Sequence, residues 1–255
     1  MKLNTDKCHL LVCGNKHECM LCTVGDSQVI ETRNVKLLGV VLDSKLSFED
    51  HLNLIIKKAS GKLNALSRQC SVISFYKRKM LLNAFFLSQF SHCPLIWMCH
   101  SRSVNTRINN LHFRALRMIY KDNSASFQEL LSRDGSVTMH HRNLQSLATE
   151  MFKVSINASP DFMKEVFPFN TNLLTSNPSA ETRQESLFYN PVNPKKVYMG
   201  LETLRVLGPK IWNLLPKNIK LAPSLSVFKE KIKSWVPLKC PCRLCKVYIT
   251  ELGFI

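Results

Sequence analysis

The sequence predicts an α+β fold that is mainly helical, and three observations carry the prediction. Leu- and Val-rich runs of strand length lie within residues 1–44. From Ser47 onward, stretches with apolar residues at helical spacing follow one another. A hydrophobic content of 45% is enough for a packed core and argues against wholesale disorder.

Residues 2–13 and 35–42 read as strands, joined through a polar loop or hairpin punctuated by Gly14 and Gly25. Two or three such strands are marginal alone, which is the expectation for a chain that begins inside a larger domain. Asp43-Ser44 supplies turn chemistry, and Ser47 followed by Asp50 fits a capping box. Behind it Phe48, Leu52, Ile55, Ile56, Ala59, Leu63 and Leu66 recur at helical spacing, with Lys57, Lys58, Lys62 and Arg68 on the other faces. A second helix is expected over 75–90 with Ser74 as its cap. Lys77, Arg78 and Lys79 crowd its first turn, where positive charge opposes the helix dipole. Those three cations therefore point to a ligand, with a solvated charge run as the alternative. Pro94 interrupts before a short buried helix at LIWMC. Ser103 caps a helix over 104–120, in which Arg107, Arg114 and Arg117 share roughly one exposed side.

Helices are expected next over 126–132 and 140–156, separated by the Asp134-Gly135 turn. Pro160 ends the second region. Residues 167–194 are rich in Asn, Ser, Thr and Pro and read as a loop or linker. TLRVLGPKIWNLLP reads as a strand, a Gly208-Pro209 turn and a short helix, and a last helix is expected over 225–235. The organisation is thus 1–44 strands, 45–166 a helical domain, 167–194 linker, 195–239 a basic C-terminal region and 240–255 a Cys-containing tail.

The net charge of +17 is unevenly spread. Residues 45–121 hold thirteen basic and two acidic groups, whereas residues 122–180 hold four and six. A block with so little compensating acid points to a polyanion, RNA or an RNA–DNA duplex, ahead of a merely solvated surface. The N-terminus lacks the apolar core of a secretory signal, and no apolar run approaches a membrane span, so no membrane partner is expected. With ten cysteines and no signal, the expectation is an intracellular chain, nuclear or cytoplasmic, with reduced thiols.

Several segments carry a family resemblance. VKLLGVVLDSKLSFEDHL resembles the strand-turn-helix joining palm to thumb in reverse transcriptases of non-LTR (LINE-type, jockey-like) retrotransposons. KLNTDKCHLLVCG resembles the segment that follows the family's catalytic acidic motif, with Cys8 where Thr is usual. LIWMCHSRSVNTRINNLHFRALRMIY, HHRNLQSLATEMFK and YMGLETLRVLGPKIWNLLP extend the resemblance over nearly the whole chain. It implies that 1–44 are late palm strands, that Leu38-Gly39-Val40 is a primer-grip-like turn and that 45–166 are thumb-like. Residues of about 35–80 are also similar to a short N-terminal segment of an AlkB-homologue alkylated nucleic-acid repair protein, which would carry dioxygenase or methyltransferase terms.

A reverse transcriptase needs carboxylates holding two divalent metals. No Asp-Asp pair occurs in this chain, and Glu49-Asp50 is explained by capping. No His is followed two positions later by Asp, as AlkB-type iron chemistry needs, and no GxGxxG turn is present. The expectation is a non-catalytic, truncated reverse-transcriptase fragment that binds nucleic-acid backbone through Lys57, Lys58, Lys62, Lys77, Arg78, Lys79, Arg107, Arg114 and Arg117. The alternative is a structural or interaction module with no nucleic-acid role. The one candidate cofactor is zinc, on Cys240, Cys242 and Cys245. These three thiols would need a fourth ligand from Cys19, Cys22, a His or another chain, and plain thiols are the competing reading.

Overall fold

The computed structural model describes residues 4, 7–14, 21–25, 27–167, 203–237 and 244. The fold is a mainly helical α+β arrangement, as expected, with two small antiparallel sheets ahead of the helices. Strands β1 (Leu21–Val24) and β2 (Ser27–Ile30) pair with Leu21 opposite Ile30. Strands β3 (Asn34–Leu37) and β4 (Val40–Asp43) pair with Asn34 opposite Asp43. The single strand expected over 35–42 is therefore a hairpin. Leu38 (φ +47°) and Gly39 (φ +91°) turn the chain in two residues, the conformation a right-twisted hairpin requires. The strand expected over 2–13 is not formed among the described residues, where only an isolated Leu10–Glu31 bridge occurs.

Helix α1 (Glu49–Gln69) follows β4, but its cap differs from the expected capping box. Asp43 instead organises the loop before the helix, and the N-cap residue Phe48 makes no side-chain capping bond. The Asp43 carboxylate accepts from the N–H groups of Phe48 (2.7 Å), Lys45 (3.0 Å) and Ser47 (3.1 Å) and from the Ser47 hydroxyl (3.2 Å). Asp50 is instead occupied by the Asn34 side-chain amide at 2.7 Å. These bonds hold a loop in which Leu46 and Phe48 both have positive φ, a conformation side chains adopt only at some cost. Burial raises the Asp43 pKa, but the N–H groups of Ser47, Phe48 and Lys45 outweigh it and the net shift is downward.

Over 75–90 the expected helix is present but irregular. It runs as α2 (Phe75–Leu81), a π turn over Leu82–Phe86 and a 3₁₀ turn over Leu87–Phe90. Then come α3 (Pro94–Trp97), α4 (Arg102–Tyr120), α5 (Phe127–Asp134), α6 (Met139–Ser155) and α7 (Phe162–Val166). The α4 cap is Ser101, two residues before the expected Ser103. Ser126 and Glu129 form a full capping box on α5, and Gly135 closes it at φ +62°. Beyond residues 168–202 lie α8 (Leu204–Asn213), α9 (Lys217–Lys220) and α10 (Leu225–Ile232).

Segment α8 corrects the strand-turn-helix reading of TLRVLGPKIWNLLP. Gly208 and Pro209 lie inside one helix, and both are buried with Val206, Leu207, Ile211 and Trp212. A Cβ at Gly208 would meet the Phe167 ring at 2.5 Å and Met151 Sδ at 3.0 Å, so glycine is there for close approach rather than for a turn. Packing thereby overrides the helix-breaking tendency of the pair.

Two cores result. One lies between α1, the π turn and α4, around Leu52, Leu63, Phe86, Trp97 and Ile108. The other lies between α6, α8 and α10, around Leu147, Phe152, Trp212 and Phe228, with the Phe152 and Phe228 rings stacked at 4.2 Å. Residues 203–237 thus pack directly on the helical region. The Asp43 loop bonds make a direct prediction. Asp43→Ala lowers unfolding free energy by about 1–2 kcal/mol in a denaturant titration, because the loop N–H groups lose their acceptor.

Candidate nucleic-acid interface

Helices α1 and α4 lie side by side and run in the same direction. Asn53 meets Arg107, Asn64 meets Arg114, and the Cys70 thiol reaches the Met118 carbonyl at 3.3 Å. At about 100° per residue, Asn53, Lys57, Asn64 and Arg68 lie within roughly 60° of one another about the α1 axis. Arg107, Asn110, Arg114 and Arg117 lie within roughly 80° about α4. The two arcs meet along one seam.

The seam's partners are amides and a carbonyl. Arg107 Nη1 donates to Asn53 Oδ1 at 2.7 Å, and Arg114 Nη2 donates to Asn64 Oδ1. Arg117 Nη2 donates to the Asn123 carbonyl at 2.8 Å, and its guanidinium lies 4.2 Å from the Phe113 ring centre. A groove of about 460 Å³ runs beside them, lined by Asn110, Phe113, Arg114, Arg117, Met118 and Asn123. Among the described residues no carboxylate pairs with Lys57, Arg107, Arg114 or Arg117. The nearby acids are occupied elsewhere. Asp122 is held by Ser124 and by Arg133 at 2.7 Å, and those bonds keep its carboxyl well below the usual range. Asp134 takes Lys79 at 2.8 Å and the Tyr120 hydroxyl at 3.2 Å. Burial, then Asp134, pushes that phenol up to about 12.

The nine expected contact residues do not form one surface. Lys57, Arg107, Arg114 and Arg117 come together at the seam. Lys58 and Lys62 are exposed on the opposite flank of α1, where Lys58 lies close enough to the buried His51 to help lower its pKa, after burial and His92. Lys77 is exposed at the start of α2 beside Tyr76, which is 77% exposed. Arg78 is a correction. It is buried, and its Nη1 donates to the Cys70 carbonyl at 3.2 Å. Cys70 is the C-cap of α1, so Arg78 satisfies a helix-end carbonyl and neutralises the negative end of the dipole. Lys79 is likewise drawn to Asp134. Two of the three charges that oppose the α2 dipole, Arg78 and Lys79, therefore serve α1 and α5, while Lys77 faces solvent. The asparagines of α1 were the signal that residue charge alone could not supply.

Cys240, Cys242, Cys245 and Cys19 lie outside the described residues. Cys22 is an exposed thiol on β1, and no cluster of three metal-ligating side chains occurs among the described residues. No described helix is long and apolar enough to cross a membrane. No protein-family model, curated protein or solved structure matches the chain.

The inner face of α4 carries His112, buried between Phe86 and Phe127. Burial, then the charge of Arg142, pushes its pKa down to about 3. The unfolded chain binds that proton near pH 6.5, so between the two values the unfolded state holds more protons. Stability is then greatest above pH 6.5 and falls as the pH drops. The buried His51 adds in the same direction. Melting temperature is expected to fall steadily from pH 7 to pH 4.5, and His112→Phe to flatten that dependence. An equal slope in wild type and variant contradicts the assignment.

Proposed function

We propose that this chain is a non-catalytic, reverse-transcriptase-like module that binds the backbone of RNA or an RNA–DNA duplex along the α1–α4 seam. One observation carries the reading: Lys57, Arg107, Arg114 and Arg117 share a face and have no carboxylate partner among the described residues. Guanidinium forks suit phosphate because two N–H groups can engage two oxygens. The Phe113 ring backs the Arg117 guanidinium in the groove and holds it toward the seam. The resemblance to the palm–thumb junction of LINE-type reverse transcriptases supports the same ligand, and the β3–β4 hairpin feeding α1 is compatible with it. The absence of an Asp-Asp pair supports binding without polymerisation.

A second reading, docking of a protein partner on the sheets, is favoured by Leu21, Ile30, Leu37 and Leu38, all more than half exposed. A filter-binding titration separates the two. With about four phosphates neutralised on a duplex, log affinity falls with log salt at a slope near −4. Arg107→Gln with Arg114→Gln reduces that slope by about 2 and leaves the melting temperature within a few degrees of wild type. Salt-insensitive or absent binding rejects the nucleic-acid reading and leaves the docking reading.

A further inference from the structure

A second cationic site lies away from the seam, in a cleft of about 830 Å³ between the π turn, the α5–α6 connection and the end of α10. Arg142, on α6, is partly buried there, and its Nε is inaccessible to water with no hydrogen-bond partner among the described residues. The Ser136 hydroxyl on the same wall is in the same condition. An unpaired guanidinium on the wall of a cleft is costly, and an anion that reaches its outer nitrogens from the cleft offsets that cost. Gln145 donates to the Lys233 carbonyl (3.1 Å) and the Trp235 carbonyl (2.8 Å), tying the end of α10 to α6 and placing Lys233 at the rim. Lys79 and Asp134 form the remaining charged wall.

We infer that this cleft binds a phosphomonoester, held by Arg142 and Lys233. The charged lining is Lys79, Arg142 and Lys233 against Asp134, a net charge of +2. A phosphomonoester carries about −1.5 to −2 at neutral pH, whereas an internal backbone phosphodiester carries about −1. Charge matching therefore favours a terminal phosphate. The volume fits a nucleotide-sized ligand rather than a bare ion. The source is either a free nucleoside monophosphate or the 5′-phosphorylated end of a strand, and both offer the same group to the same atoms. Arg142 feels Asp134 without an ion pair between them, and its pKa is lowered by burial although Asp134 opposes this. A ligand dianion would supply the missing counter-charge. This site stands independently of the seam.

The test uses the full chain with inorganic phosphate, a nucleoside monophosphate, and one oligonucleotide carrying either a 5′-phosphate or a 5′-hydroxyl. Backbone binding at the seam is common to both oligonucleotides and cancels. The phosphorylated strand is expected to bind about tenfold tighter or more. Phosphate or nucleoside monophosphate is expected to raise the melting temperature in a concentration-dependent way. Arg142→Met loses both effects and melts no lower than wild type, since it removes an unpaired charge. Lys233→Gln, at an exposed position, loses several-fold of the 5′-phosphate preference and keeps the proposal testable should Arg142→Met fail to fold. A free monophosphate that stabilises without any 5′-end preference identifies the small molecule as the source. Equal binding of the two strands with no stabilisation by either small ligand overturns the proposal. So does a preference that survives in both variants.

Discussion

The charge of the α1–α4 seam depends on a choice of partner: amides, not carboxylates, face the arginines between the two helices. Asn53 orients Arg107 and Asn64 orients Arg114. An Asp or Glu at either place would orient the guanidinium equally well and cancel its charge. An amide oxygen fixes the side chain and leaves the charge whole, with further N–H donors unspent. Arg117 follows the same logic through a backbone carbonyl and the Phe113 ring. The acids that could have neutralised the seam, Asp122 and Asp134, are engaged with Arg133 and Lys79. Four cations with no carboxylate partner among the described residues thereby line two parallel helices, an arrangement that would steer a polyanion.

That seam is only as well placed as the ends of α1. At its start, Asp43 ties β4 to the loop that leads into the helix, up to the N-cap Phe48, while two residues hold positive φ. At its end, Arg78 closes the Cys70 carbonyl, and the Cys70 thiol reaches α4 through Met118. A helix of 21 residues fixed at both ends can present side chains at a defined spacing. Between those ends, Leu52, Ile55, Ala59 and Leu63 hold α1 against the π turn and α4. Burying each such leucine or isoleucine contributes about 1.5–3 kcal/mol. The packing thus supplies the bulk of the stability, and the polar contacts at the two ends set position.

Helix existence was legible in the sequence because apolar periodicity survives any tertiary context. The α1, α4, α5, α6 and α10 positions follow from it, as does the Gly135 stop. Local rules failed where a tertiary contact outweighed them. Gly208-Pro209 signals a turn, yet Phe167 and Met151 press on a helix at that point. Ser47 and Asp50 match a capping box, yet the Ser47 N–H and hydroxyl go to the Asp43 carboxylate and Asp50 is taken by the Asn34 amide. The Leu37–Leu42 run reads as one buried strand, but a Leu38-Gly39 turn divides it, and Gly39 sits where a Cβ would crowd His92. The candidate site divides the same way. Clustering of Arg107, Arg114 and Arg117 follows from helical spacing. The burial of Arg78, the commitment of Lys79 and the unpaired Arg142 depend on which elements meet, and one sequence does not encode that in any local pattern.

The central claim is that polyanion binds the α1–α4 seam and not the basic surface at large. Lysine-modification footprinting with an RNA–DNA duplex tests it most directly. Lys57, at the seam, and Lys229, exposed on α10, are both solvent-accessible in the free chain. The account predicts that duplex protects Lys57 several-fold and leaves Lys229 unchanged, with the protection lost at high salt. Equal protection of the two lysines, or protection of Lys229 alone, would contradict it.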